Sequence, residues 1–426
     1  MSLNNIFTAL KNIVPVLYIS YDGMLDPLGQ SQVIPYLGHL TQLYGGVTLI
    51  SFEKRERLKT GKLFMEEKFI KLNIYWIPIS FTEGNGSLNK IWDLLRMIIT
   101  SFLIVAVRKV RVIHARGHLG ALSGSFIKRM FKVKLLFDFR GLWVDERVDK
   151  GGWKLERRID RMQYGIFKRL ERILLAHADH IVVLTNSVVD EVRRLGDRPL
   201  CDITVIPCCA DFDHFKFVTS EARVAAKRKF SWCEVDLVIG YLGSVGQMYL
   251  LDDFFRFVRL CRIRSHNIKV LAVTPDVEAF RQLLVKSVDN DSSDSYAIIS
   301  ASREKVPELI ATFDVLVTFI APSYARQAAS PTKIAESLAQ GIPVITNHGI
   351  GDMSSMIPDL AGGLVLDLSD RHAIRYGVDE LDQLRKINGG ELRCRARKVL
   401  GLEVAIESYS RIYKALGLDL LPCNQS

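Results

Sequence analysis

The chain has 426 residues, 48% hydrophobic and 24% charged, an ordinary globular composition with room for two or three domains. No biased segment or internal period is present, which excludes collagen-like, low-complexity and repeat architectures. A formal charge of +10 favours anionic partners such as phosphate-bearing ligands, acidic lipid surfaces or nucleic acid, and seven irregularly spaced cysteines point to a reducing compartment.

Residues 1–12 lack the long apolar core of a signal peptide. The most apolar run, Met97 to Val107, falls well short of the ~20 residues that span a bilayer. A cytoplasmic protein is expected, with peripheral contact to a membrane face as the further option.

Pro15 to Ser20 is a continuous apolar run, the pattern of a first parallel strand buried on both faces. The loop Asp26-Pro27-Leu28-Gly29-Gln30-Ser31 follows and leads into a helix carrying Val33, Leu37 and Leu40. Gly29 lets backbone approach a bound group closely, and the helix start favours a negative one, although any strand–helix turn accommodates glycine. Val47 to Phe52 reads as the second strand. Ile91, Leu94, Leu95, Ile98, Ile99, Phe102 and Leu103 keep helical spacing, and their stripe suits either packing on the sheet or a membrane-dipping face.

Val110 to His114 is a further strand, with Ala115-Arg116-Gly117-His118 at its C-terminal end, where ligands gather in open α/β sheets. His114 and His118 at a strand-to-loop junction do not share one face, and no glutamate completes a metalloprotease pattern, so zinc is not expected. Leu135 to Phe139 is the next strand. It ends in Arg140-Gly141, with Asp145, Glu146 and Arg147 close behind. Arg140 there either joins a salt-bridged loop or places positive charge on a departing diphosphate. Trp153 to Leu174 reads as one helix with a stripe of Leu155, Ile159, Met162, Ile166, Leu170 and Ile173. Lys154, Arg158, Arg161, Lys168 and Arg172 run beside it, as a solvated face or as a dock for anionic headgroups.

Ile181 to Thr185 and Val205 to Pro207 close the first half. The second opens with Leu237 to Leu242 running into Gly243-Ser244, where phosphate-facing backbone is expected. Val270 to Val273, Ala297 to Ser300 and Val315 to Phe319 continue the strand series. Ser330-Pro331-Thr332-Lys333 then starts a helix, with Ser330 as expected N-cap and Pro331 at the first helical position. The helix runs to Gln340, Gly341 stops it and Pro343-Val344-Ile345 begins a strand. Such a helix start suits phosphate, and Lys333 adds a charge that an anion would offset. Glu336 lies roughly 7.5 Å along the axis from Pro331 at ~1.5 Å per residue, about the reach from a diphosphate to its ribose. An ordinary capped amphipathic helix is the plainer alternative. Gly349-Ile350-Gly351-Asp352 forms a loop, and Glu403 to Leu416 a last helix.

Ser330-Pro331-Thr332-Lys333 with Glu336, Leu338-Ala339, Gly341 and Pro343-Val344 resembles the donor-nucleotide motif of retaining glycosyltransferases of family 4, in a Ser-Pro-Thr-Lys subgroup. The likeness extends to Asp26–Ser31, Phe137–Gly141, Tyr241–Ser244 and the closing helix, and so covers most of the chain. It implies the GT-B fold of two Rossmann-like α/β domains with parallel sheets facing a central cleft. The expected division is 1–210 on the acceptor side, 211–402 on the nucleotide-sugar side, and 403–426 crossing back to the first domain.

The resemblance implies a nucleotide-sugar donor of the UDP or GDP type as substrate. It also implies a saccharide or polyprenyl-linked acceptor, retention at the anomeric carbon, and no metal or other cofactor. Ser330, Pro331, Thr332, Gly243, Ser244 and Gly29 are assigned to donor phosphate and sugar, and Glu336 to the ribose. Lys333, Arg326 and Arg140 are assigned to the leaving diphosphate, with Arg116 and His118 near the reacting sugar. Asp211-Phe212-Asp213 looks like a metal-binding Asp-x-Asp but falls where the linker begins, and is assigned to the hinge.

Two departures stand out. Gln247 to Leu251 replaces a basic diphosphate clamp, and Ala328 replaces the first of two paired glutamates. A non-catalytic partner in polysaccharide assembly and a nucleotide-sugar epimerase are the alternatives. Nucleic acid is not expected as partner, because the basic residues show no interleaved aromatics.

Overall fold

A computed structural model describes residues 14–84, 87–265, 267–287 and 293–421. The expectation for residues 1–12 therefore lies outside the described residues. Two compact units divide the chain: residues up to Pro207 with those from Ala405 onward, and Cys208–Val404.

The first unit is built on a seven-stranded sheet in the order β3-β2-β1-β4-β5-β6-β7. Its strands are Val16–Ser20 (β1), Val47–Glu53 (β2), Ile74–Ser80 (β3), Val112–Arg116 (β4), Lys134–Asp138 (β5), His180–Val183 (β6) and Ile203–Val205 (β7). Every pairing is parallel. The order reverses between β1 and β4, so their C-terminal ends form a switch point of the kind where ligands collect. There the register sets Ser20 beside Arg116 and Arg116 beside Asp138. A central place in the sheet explains the buried runs: all five residues of β1 and all seven of β2 are buried. Strand β3 was missed in sequence because Pro78 interrupts it, which an edge position tolerates.

The second unit carries a six-stranded sheet, β10-β9-β8-β11-β12-β13. Its strands are Leu237–Leu242 (β8), Ile268–Val273 (β9), Tyr296–Ile299 (β10), Val315–Val317 (β11), Val344–Asn347 (β12) and Gly363–Leu366 (β13), again all parallel. Alternation sends Val238, Leu271, Leu316 and Val344 into one core, and Ile239, Tyr241, Val270 and Ile345 into the other. Strand β13 escaped the sequence reading because it is short and opens on glycine.

Three local expectations need correction. The helix expected from Trp153 begins only at Arg158 and runs to His177. Trp153 instead packs on Phe167, under the Arg147 guanidinium at 4.9 Å, and the Lys154 amide donates to Asp160. Strand β4 extends to Arg116, so Arg116 is a strand residue and His118 lies in the helix Gly117–Met130. The donor-motif helix spans Thr332–Ala339 with Pro331 as its N-cap residue, not Ser330. The Ser330 hydroxyl is committed elsewhere, accepting from the Cys208 amide at 3.0 Å.

Candidate functional site

In the second unit, the C-terminal end of β8 and the start of helix Thr332–Ala339 bring the donor-motif residues together. Gly243 has φ +145, and a Cβ there would stand 2.5 Å from the Lys333 ammonium, so only glycine fits. The Tyr241 hydroxyl donates to the Ser244 carbonyl at 2.7 Å, and the Val245 amide donates to Asp276 at 2.8 Å, which fixes the loop. Tyr249 is held by a bridge to Ile320.

The stem of Lys333 is partly accessible, but its Nζ is buried and has no hydrogen-bond partner. It sits 4.1 Å from the Tyr249 ring centre and 5.6 Å from that of Tyr241. Ring quadrupoles hold a cation there without neutralising it. Burial pushes the Lys333 pKa down to about 7, against the pull of Glu336. A buried ammonium without an acceptor, beside a glycine loop and a helix start with no side-chain cap, is chemically suited to pairing with an anion.

Glu336 is less open than the sequence reading implied. Its carboxylate is buried and paired with Arg303, which also lies 4.8 Å from the Phe215 ring. Burial pushes the Glu336 pKa up, against Arg303, His214 and Lys333. Arg303 and His214 carried no local sequence signal, since they come from distant segments. Arg326 is buried in the turn Tyr324–Ala328, where its positive charge works against the burial that raises the Tyr249 pKa, and its carbonyl accepts from the Gly351 amide. Thr332 opens the helix and Ser330 lies just before it.

Asp211 spends its carboxylate on the amides of Asp213 and His214. Among the described residues, no group of three or more His, Cys, Asp and Glu is arranged to hold a metal.

The first unit assembles a second cluster at its switch point. Arg116 is buried and donates to Asp22 at 3.2 Å, Asp138 at 3.4 Å and Gln32 at 2.8 Å. Arg140 donates to the same Gln32 oxygen at 2.7 Å and to Asp138 at 3.5 Å. Gln32 thus ties the two arginines together, a role invisible in sequence. Gly29 is required by its own chain: a Cβ would strike the Gly23 carbonyl and stand 2.7 Å from the Met24 Cα. Its close packing aims the short helix Pro27–Gln32 at Arg116.

His118 Nε2 is 2.8 Å from Glu171, and its ring lies among Phe137, Phe139 and Trp143. Lys168, expected in an outward basic stripe, instead faces inward and pairs with Glu171 at 2.5 Å and Asp145 at 2.9 Å. His114 is pushed down to about 4 by burial, hence neutral, and meets the Tyr413 hydroxyl at 2.8 Å. That contact fastens the last helix to the first unit's sheet.

Residues 64–209 match the family model described as a glycosyl transferase 4-like domain. No protein of curated function matches the sequence. Among solved structures, HepE of Anabaena, in complex with UDP and glucose, superposes with TM-score 0.68 at 10% identity, over 94% of this chain and 99% of that one. A glycosyltransferase of Rickettsia africae gives 0.69 at 16%, over 95% and 99%. Sucrose-phosphate synthase of Thermosynechococcus elongatus gives 0.67 at 15%, over 95% and 99%. The chain has the GT-B fold, two Rossmann-like units with parallel sheets, and carries a glycosyl transferase 4-like domain within it.

Proposed function

We propose that the protein is a retaining glycosyltransferase of the hexosyl type. It moves a sugar from a UDP or GDP donor to a saccharide or polyprenyl-linked acceptor, in surface-polysaccharide or glycoconjugate assembly on the cytoplasmic side of a membrane. The observation that carries this reading is the Lys333 ammonium, buried without an acceptor against Gly243. The glycosyl transferase 4-like match and the UDP held by Anabaena HepE support the same reading.

Lys333 and Arg326 receive the diphosphate in this proposal, together with the Gly243-Ser244 backbone and the helix start at Ser330-Pro331-Thr332. Glu336, oriented by Arg303, accepts from the ribose hydroxyls. Arg140, Arg116, His118 and Gly29 serve the transferred sugar and the leaving group. As the glycosidic bond to the leaving diphosphate breaks, one of its oxygens takes the acceptor hydroxyl proton on the face of attack. Charge stabilisation by preorganised cations supplies the main catalytic effect, and the proposal needs neither a metal nor a protein base.

A non-catalytic role in polysaccharide assembly keeps one observation in its favour. Ala328 is buried where the resemblance implies a sugar-binding carboxylate. Thermal-shift titration with UDP, GDP and ADP, with Glu336→Ala as control, separates the two. Transfer requires that one nucleotide raise the transition by a few degrees, as ~2.7 kcal/mol at a hundredfold excess over Kd implies, and that Glu336→Ala lose the shift. No shift with any nucleotide, in folded protein, leaves the non-catalytic reading.

A further inference from the structure

The helices Ser87–Val107, Gly117–Met130 and Arg158–His177 are neighbours in the first unit, the middle one packing on both others. Their inward residues fill the core, yet their outward sides also carry apolar stripes. On Arg158–His177, Ile159, Met162, Ile166 and Ile173 form one stripe at 100° per residue and are 67%, 60%, 58% and 40% exposed. Trp92, Ile99 and Leu103 repeat the pattern on Ser87–Val107 at 54%, 55% and 57%. Phe126 and Met130 on the middle helix are 48% and 54% exposed. Scattered exposed hydrophobics are ordinary, but stripes on three adjoining helices make an extended apolar face.

Charge identifies what covers it. Arg158, Arg161, Arg169 and Arg172 run along one flank of the Ile159–Ile173 stripe, all exposed, and none forms an ion pair among the described residues. The one lysine of that helix, Lys168, turns inward to Glu171 and Asp145, so the uncompensated charge is confined to the outer flank. A second copy of the chain would offer the same stripe and the same uncompensated arginines. An anionic bilayer offers an apolar layer directly beneath phosphate groups, which matches both halves of the face, and tryptophan favours that boundary. Among the described residues no helix is long and apolar enough to cross a membrane, so the contact lies in the interface plane.

We propose that this three-helix face docks the protein on an anionic phospholipid bilayer, its apolar stripes entering the headgroup–acyl boundary while the four arginines pair with lipid phosphates. The face carries none of the residues assigned to the donor nucleotide, so the inference stands without the transferase reading.

Co-sedimentation with vesicles tests it, using phosphatidylcholine alone and equal parts phosphatidylcholine and phosphatidylglycerol. The wild-type protein is expected to partition onto the anionic vesicles and stay free of the neutral ones. Replacing Arg158, Arg161, Arg169 and Arg172 together by Gln should weaken partition on the order of a hundredfold or more, at about fivefold per basic residue. Met162→Asp with Ile166→Asp should abolish it, and both sites are exposed enough to spare the fold.

Equal binding to neutral vesicles, no binding to either, or variants that bind like wild type would overturn the proposal. So would a dimer in sedimentation velocity that Met162→Asp dissolves, because the face would then belong to a second copy. Nucleotide thermal shifts on the same variants should be unchanged. Their absence in the wild type would count against the transferase reading alone.

Discussion

Replacing Lys333 by Met should stabilise the free protein while removing the proposed nucleotide site. Lys333 is held from its ordinary pKa of 10.5 down to about 7, mainly by burial. A shift of that size corresponds to about 5 kcal/mol of opposition to folding, taken as a ceiling at ~1.36 kcal/mol per pKa unit. The partly accessible stem and dielectric relaxation reduce it, and a third of the ceiling is about 1.5 kcal/mol. At roughly 2–4 °C per kcal/mol for a unit of this size, the transition should rise by about 3–6 °C.

The sign follows from linkage. Below pH 7 the folded protein carries a charged, unpartnered ammonium, and the penalty is complete. Between pH 7 and 10.5 the folded form sheds its proton before the unfolded chain does, so the penalty fades. Differential scanning calorimetry at pH 6 and pH 10 should therefore show a gain for Lys333→Met that is large at the first and small at the second. A variant less stable than wild type at pH 6, or a gain independent of pH, would refute the idea that this charge waits unpaired for an anion.

Glu171→Gln should destabilise the first unit by about 3 kcal/mol in urea unfolding at pH 7, since it half-breaks a buried charge network with His118 and Lys168. Although burial raises it, the Glu171 pKa is lowered overall by those two partners, so its contribution is present above the unfolded value and is lost as pH falls through the lower folded one. The gap between wild type and variant should thus close in acid. Gly243→Ala, with its Cβ at 2.5 Å from the Lys333 ammonium, should cost at least about tenfold in nucleotide affinity by calorimetry while leaving the first unit's stability unchanged.

The two parallel sheets were legible because buried runs such as Val16–Ser20 and Leu237–Leu242 alternate with helical periods, and that alternation dictates the architecture. The donor-motif helix was legible in kind and slightly displaced at its start. Local capping rules favour Ser330, but its hydroxyl is claimed by Cys208, 122 residues away in sequence. The same limit hid Gln32 between Arg116 and Arg140, and Arg303 against Glu336, since such pairs exist only once the strands are in register.

Around Lys333, sequence reasoning noted the missing basic clamp near Tyr249 but not that Tyr249 and Tyr241 themselves cradle the lysine. On Arg158–His177, periodicity showed an apolar stripe but could not tell whether it faced inward. A core stripe and an exposed one share the same 3.6-residue repeat, and the core here is completed by Leu174, Leu175 and the buried Lys168–Glu171 pair.

The central claim is that a nucleoside diphosphate recharges Lys333. Isothermal titration at pH 8, using the nucleotide that gives the largest thermal shift and two buffers of different ionisation enthalpy, measures this directly. With a free-state pKa of about 7, binding should take up about 0.9 proton per nucleotide in the wild type and none in Lys333→Met. Binding with no proton uptake in the wild type, or equal uptake in the variant, would place the diphosphate elsewhere and contradict the account.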